Sequence, residues 1–154
     1  MKRGDQLMNQ KGVTLIELVV VFVIIAIGAA LTTPNIGGWM TNYRLRSATR
    51  DVISTMRVAQ MKAISNNLRY QISFDIANRS YFLQYETPPY SETWINEGAI
   101  QTLPTGVQFN TTFGNTARFS PNATSTNGNV ILNNTKGATK TIQILGTTGR
   151  VKSD

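Results

Sequence analysis

Gly12-Val13-Thr14-Leu15-Ile16-Glu17-Leu18-Val19-Val20-Val21-Phe22-Val23-Ile24-Ile25-Ala26-Ile27-Gly28-Ala29-Ala30-Leu31-Thr32-Thr33-Pro34 contains a run of 19 residues, 13–31, whose sole formal charge is Glu17. As a helix at about 1.5 Å per residue, such a run spans roughly 28 Å, close to the hydrocarbon thickness of a bilayer. Length and purity predict a membrane-spanning helix. Glu17 is the anomaly, because a charged group at mid-bilayer costs on the order of 2.5–3.5 kcal/mol and normally has a partner. The plainer alternative is that Glu17 lies near enough to the helix start to reach the headgroups or to cap first-turn amides. That alternative leaves unexplained the glycine directly before the run and the basic residues Lys2, Arg3 and Lys11 ahead of it.

A cleavable secretory signal also has a basic start and an apolar centre. Its small-residue cut site follows an apolar segment of about 7–15 residues, whereas here the run is longer and the Gly12-Val13 step precedes it. The apolar run is therefore expected to stay in the mature chain. Arg44, Arg46 and Arg50 flank its far side, so charge alone does not orient it.

Outward from this stretch, Pro34, Gly37 and Gly38 predict a kink or a locally melted segment. Helical periodicity returns from about residue 39 to 67. Leu45, Ala48, Val52, Met56, Ala59 and Ala63 recur three or four apart and predict one buried face, with Arg46, Arg50, Arg57 and Lys62 opposite. Asn66-Asn67 is a plausible end.

Beyond Asn67 the period becomes two. Tyr70, Ile72, Phe74 and Ile76, then Tyr81, Leu83 and Tyr85, predict a hairpin around residues 77–80. Residues 87–98, with Pro88-Pro89, Tyr90 and Trp94, read as a long loop and a candidate partner-contact surface. Further strands are predicted near 99–103, 107–110, 117–119, 130–132 and 140–145, with a short one around Arg150-Val151. One long helix followed only by strands predicts an α+β chain: a long N-terminal helix packed on a β-rich head of antiparallel sheets.

At 154 residues the chain has room for one membrane helix and one compact head. It has no cysteine and no histidine, which excludes disulfides, thiolate or imidazole metal sites and a His-based triad. Its eight carboxylates show no spacing for paired acid and base work or for a cation cage. The expectation is a non-enzymatic protein without cofactor, catalytic residues or metal. The formal charge of +7 falls to about +5 without residues 1–12. A basic excess attracts phosphate backbones or anionic lipid, or simply forms a solvated surface.

Lys11-Gly12-Val13-Thr14-Leu15-Ile16-Glu17-Leu18 resembles the prepilin motif of type IV pilins and type II secretion pseudopilins. The resemblance implies a cut by prepilin peptidase between Gly12 and Val13 and N-methylation of Val13. It also implies that Glu17, the fifth mature residue, pairs with the N-terminal amine of a neighbouring subunit. Pro34 falls at the twenty-second mature position, where the family also carries proline; the usual first residue is Phe, and Val13 departs from it. Two opposite charges in hydrocarbon offset each other's cost and select the register between subunits.

Further along, Ala117-Arg118-Phe119-Ser120-Pro121-Asn122-Ala123, Gly128-Asn129-Val130-Ile131-Leu132, Thr141-Ile142-Gln143-Ile144 and Gly149-Arg150-Val151 are similar to the GspH/FimT group of minor pilin-like proteins. The implied organisation is a leader (1–12), a transmembrane and filament-core helix (13–33), an amphipathic helix entering the head (34–67) and a β-rich head (68–154). The implied place is the bacterial inner membrane, single-pass with the head in the periplasm, and then a periplasmic pseudopilus or surface pilus. Implied partners are other pilin or pseudopilin subunits, the peptidase, an inner-membrane assembly platform and, before assembly, membrane lipid. Gly149-Arg150-Val151-Lys152 also resembles a basic Gly-Arg-x-Arg tail of DNA-capturing FimT-like relatives, with lysine replacing the second arginine. Lysine keeps the charge but loses the planar fork. Arg150, Lys152, Lys136 and Lys140 are thus candidate DNA contacts.

Overall fold

The computed structural model describes residues 12–31 and 36–154. They fall into two compact units, Met1–Ile36 and Gly37–Asp154.

In the first unit, helix α1 runs from Leu15–Leu31. Thr14 sets its start: the Thr14 hydroxyl accepts from the Glu17 amide at 3.3 Å, and the Thr14 carbonyl accepts the first helical bond, from the Leu18 amide at 3.2 Å. Thr14-Leu15-Ile16-Glu17 has the threonine-to-glutamate spacing of a capping box. Val13 and Thr14 are accordingly outside the helix, which has 17 residues and is about 26 Å long. Among the described residues no helix is long and apolar enough to cross a membrane. The apolar side chains of α1 from Leu15 to Ile27 occupy its whole circumference and are exposed.

Helix α2 spans Ile36–Asn66. The expected break at Gly37 and Gly38 is absent, since both lie within its first turn. Amides there lack a helical partner in any case, and the Thr41 hydroxyl binds the Gly37 carbonyl at 2.6 Å. The remainder of that expectation, including Pro34, lies outside the described residues. Leu45, Ala48, Val52, Met56, Ala59 and Ala63 form the buried stripe that the spacing predicts. Thr49 is buried beside them because its hydroxyl donates to the Leu45 carbonyl at 2.8 Å. The helix stops where Asn67 takes a left-handed conformation, φ 53°.

Eight strands follow: β1 Tyr70–Asp75, β2 Ser80–Glu86, β3 Trp94–Thr102, β4 Val107–Thr112, β5 Thr116–Phe119, β6 Gly128–Asn134, β7 Thr139–Leu145 and β8 Arg150–Ser153. They form two antiparallel sheets, with orders β3-β2-β1-β5 and β4-β6-β7-β8. The hairpin of β1 and β2 pairs Tyr70 with Tyr85 and Phe74 with Tyr81. Ile76 falls beyond β1 and is exposed.

The predicted loop over residues 87–98 is shorter than expected, because β3 already begins at Trp94. As an edge strand exposed on both faces it has no alternation to read. One apolar core joins α2 to both sheets. Phe109 of the second sheet meets Phe74 and Tyr81 of the first edge-on, with ring centroids 5.4 and 6.3 Å apart. Completely buried side chains such as Ile72, Leu132 and Ile144 each contribute roughly 1.5–3 kcal/mol.

Candidate functional site

Gly12 and Val13 lie directly ahead of α1, outside any helix or strand, and Val13 is 72% exposed. The Gly12-Val13 peptide is therefore free of helical hydrogen bonds and open to approach. Glu17 sits in the first turn of α1, three residues past the Thr14 cap, at the end where the helix dipole favours a negative charge. The sequence signal for this cap is the spacing from Thr14 to Glu17. Pro34 lies outside the described residues.

The four candidate DNA contacts do not form one cluster. Arg150 and Lys152 alternate with buried Val151, so both point outward from β8 and are exposed. Lys152 pairs in register with Gln143, and Arg150 with Leu145. Lys136 is exposed in the turn before β7, beyond the end opposite Leu145, so at least about 20 Å of strand separates it from Arg150. Lys140 is turned towards α2: it shares a cavity of about 290 Å³ with Arg46, Arg50 and Ser153, and its ammonium donates to the Asp154 main-chain oxygen at 2.6 Å. Arg150 lines a second cavity of about 400 Å³ with Arg57, Gln60 and Met61.

A different charge cluster folds residues 87–93 over the outer face of the first sheet. Arg69 holds the fully buried Glu86 carboxylate through both of its oxygens. The Glu92 amide donates to the same carboxylate at 2.8 Å. Glu92 in turn binds Arg69 at 3.1 Å and Arg118 at 3.0 Å. Each guanidinium also lies 4.9 Å from an aromatic centroid, Arg69 over Tyr90 and Arg118 over Trp94. Burial pushes the Glu86 carboxyl up, but the Arg69 hydrogen bond and the Glu92 and Tyr90 amides outweigh it, leaving Glu86 below the usual carboxylate range. The Glu86 hydrogen bond likewise raises Arg69. The predicted contact loop is thus a pinned one, presenting Tyr90 at 76% exposure.

Residues 7–33 match the prokaryotic N-terminal methylation motif. No curated protein matches the chain significantly. The fold is similar to that of the minor pseudopilin EpsH from the type 2 secretion system of Vibrio cholerae, with TM-score 0.61 and 11% identity over 72% of this chain and 96% of that one. It is also similar to the type IV minor pilin FimU of Pseudomonas aeruginosa, with TM-score 0.54 and 12% identity over 71% of this chain and 92% of that one. The chain thus carries an N-terminal methylation motif on an apolar helix and has a fold similar to that of a minor pseudopilin and a minor pilin.

Proposed function

We propose that the chain is a minor, GspH/FimT-type structural subunit of a type II secretion pseudopilus or a type IV pilus. In this reading prepilin peptidase cuts between Gly12 and Val13 and methylates Val13. Residues 13–33 anchor the protein in the inner membrane, the head stands in the periplasm, and an assembly platform moves the subunit into a filament serving protein secretion. The role is non-enzymatic. The observation that carries it is the methylation motif running into α1, a helix apolar on every side and exposed, with one acid in its first turn. A helix of that kind needs lipid or neighbouring helices around it. Glu17 then meets the freed amine of an adjoining subunit and sets the register, and Pro34 shapes the exit from the filament core.

Glu17→Ala is expected to insert and lose residues 1–12 normally but to be missing from sheared filaments on immunoblot. Normal incorporation overturns the register role. Mass spectrometry showing residues 1–12 retained in cells with active prepilin peptidase overturns the filament reading itself.

A second reading, DNA capture during uptake by a pilus, is favoured by the outward exposure of Arg150 and Lys152 on β8. Full chain in detergent should then bind duplex DNA with an affinity that falls steeply with salt, and Arg150→Ala/Lys152→Ala should abolish it. No binding at low salt overturns this reading.

A further inference from the structure

Trp39, Tyr43, Arg46 and Arg50 recur at intervals of four, three and four residues along α2, so they share one face of it. That face is turned away from Leu45, Ala48 and Val52, which enter the core. The two rings stack with centroids 5.7 Å apart, yet Trp39 is 67% and Tyr43 57% exposed. With Asn42 and Arg46 they line a cavity of about 130 Å³, so the first arginine adjoins the stack. Among the described residues neither the Trp39 indole N–H nor the Tyr43 hydroxyl has a hydrogen-bond partner. Asp154 lines a further cavity with Arg46 and Arg50, but neither arginine is in an ion pair among the described residues.

We infer that this face is a membrane-interface contact: before assembly Trp39 and Tyr43 sit among lipid headgroups, and Arg46 and Arg50 meet the surface charge of anionic lipid. The inference rests on the membrane anchoring in the proposed function. The order of residue types selects a lipid surface. The face begins eight residues after Leu31, where the apolar run ends, with the aromatics first and the arginines after them. A bilayer presents its layers in the same order: hydrocarbon, a polar layer where Trp and Tyr collect, then an anionic surface potential that attracts cations. The lengths agree as well. Trp39 to Tyr43 covers about 6 Å of helix axis, against a polar layer of about 5–8 Å on each side of a bilayer. Arg46 and Arg50 follow about 4 and 10 Å beyond Tyr43, within the screening length of about 10 Å at 0.1 M salt. An apolar ring with an unpartnered polar tip needs surroundings both greasy and wet, which a headgroup layer supplies and a dry protein contact does not. Helix α2 carries Arg44, Arg46, Arg50, Arg57 and Lys62 against the single acid Asp51, so the lipid it favours is anionic. Single-stranded nucleic acid is the poorer occupant, because each ring already covers one face of the other and leaves no slot between them for a base.

The test reconstitutes full chain at low protein-to-lipid ratio into phosphatidylcholine vesicles, with or without about one-third phosphatidylglycerol as the anionic lipid. Flotation first shows whether the chain is anchored. Trp94→Phe leaves Trp39 as the sole tryptophan. Its emission is expected to fall about twofold with lipid brominated near the headgroup, and less with lipid brominated near the bilayer centre. Trp39→Phe, which keeps Trp94, should show no such quenching. Phosphatidylglycerol should deepen the quenching of Trp39, and Arg46→Gln/Arg50→Gln should remove that dependence. Arg79→Gln/Lys136→Gln takes the same charge from two exposed turns elsewhere and should retain it. Equal loss in that control reduces the effect to net charge and overturns the anionic contact. Chain that floats with Trp39 unquenched overturns this inference and leaves the anchoring standing, whereas chain that fails to float overturns both. Shielding of Trp39 that grows with protein-to-lipid ratio without bromine quenching identifies a second copy as the occupant. Quenching by a single-stranded oligonucleotide in preference to brominated lipid identifies nucleic acid. Either result overturns the choice of lipid.

Discussion

Two arginine clusters stand on the same head and differ in how their charge is met. At the open end of β1 and β2, Arg69 and Arg118 face Glu86 and Glu92, and every guanidinium has a carboxylate and an aromatic face. Along α2 and β8, Arg46 and Arg50 line one cavity and Arg57 and Arg150 another, with no ion pair among the described residues. The first cluster pairs its charges internally and fixes a loop, although Arg118 Nε is buried there without a hydrogen-bond partner among the described residues. The second leaves its charge available to something outside. Buried charge must be paired because desolvation is costly, whereas cations at an open groove stay hydrated and cost little to leave alone.

The contrast breaks most visibly at Arg69. Arg69→Ala leaves the Glu86 carboxylate buried with only main-chain donors, and urea unfolding should show a loss of about 3 kcal/mol. Gly149→Ala strikes the approach of α2 to the turn before β8 without touching a charge. A Cβ there would stand 2.5 Å from Gln60 Nε2 and 2.6 Å from the Ala123 carbonyl oxygen, at φ +60°. A loss of about 2 kcal/mol in the same assay is expected from the strained backbone and the displaced contact.

Acidification gives a gentler separation. Glu86 is held below the usual range, so its contribution is complete above the ordinary glutamate value of about 4.3 and is lost as the pH falls through its folded value. Urea midpoints measured from pH 7 to pH 3 should therefore fall at the acid end, and fall less steeply in Glu86→Gln. Smallest of all, Arg46→Gln/Arg50→Gln should leave stability within about 0.5 kcal/mol, as for exposed surface changes. A larger loss there would show that these two arginines carry a structural load after all.

Much of the architecture was legible because periodicity reports burial. The three-and-four spacing from Leu45 to Ala63 matched the stripe that α2 buries, and the alternation from Tyr70 to Phe74 marked the inner face of β1. What failed was legible only in three dimensions. Strand β3 is largely exposed, so residues 94–98 carry no alternation and read as loop. Gly37 and Gly38 lower helix propensity, yet a first turn tolerates them. The Glu86 cluster joins partners 17 and 26 residues apart in sequence, beyond any local pattern. Of the candidate site residues, the motif around Gly12, Val13 and Glu17 was readable as a string. The basic tail was not readable as a surface: Lys140 and Arg150 belong to cavities completed by α2, while Lys136 stands in a turn at the far end of β7.

The position of Thr14 has a consequence for the proposed maturation. Because the hydroxyl that begins α1 belongs to the residue after Val13, severing the chain behind Gly12 removes no bond that the helix depends on. In the proposed maturation, cleavage and folding of the rod are thereby uncoupled: the same rod stands before and after the cut, and only the electrical character of its tip is rewritten.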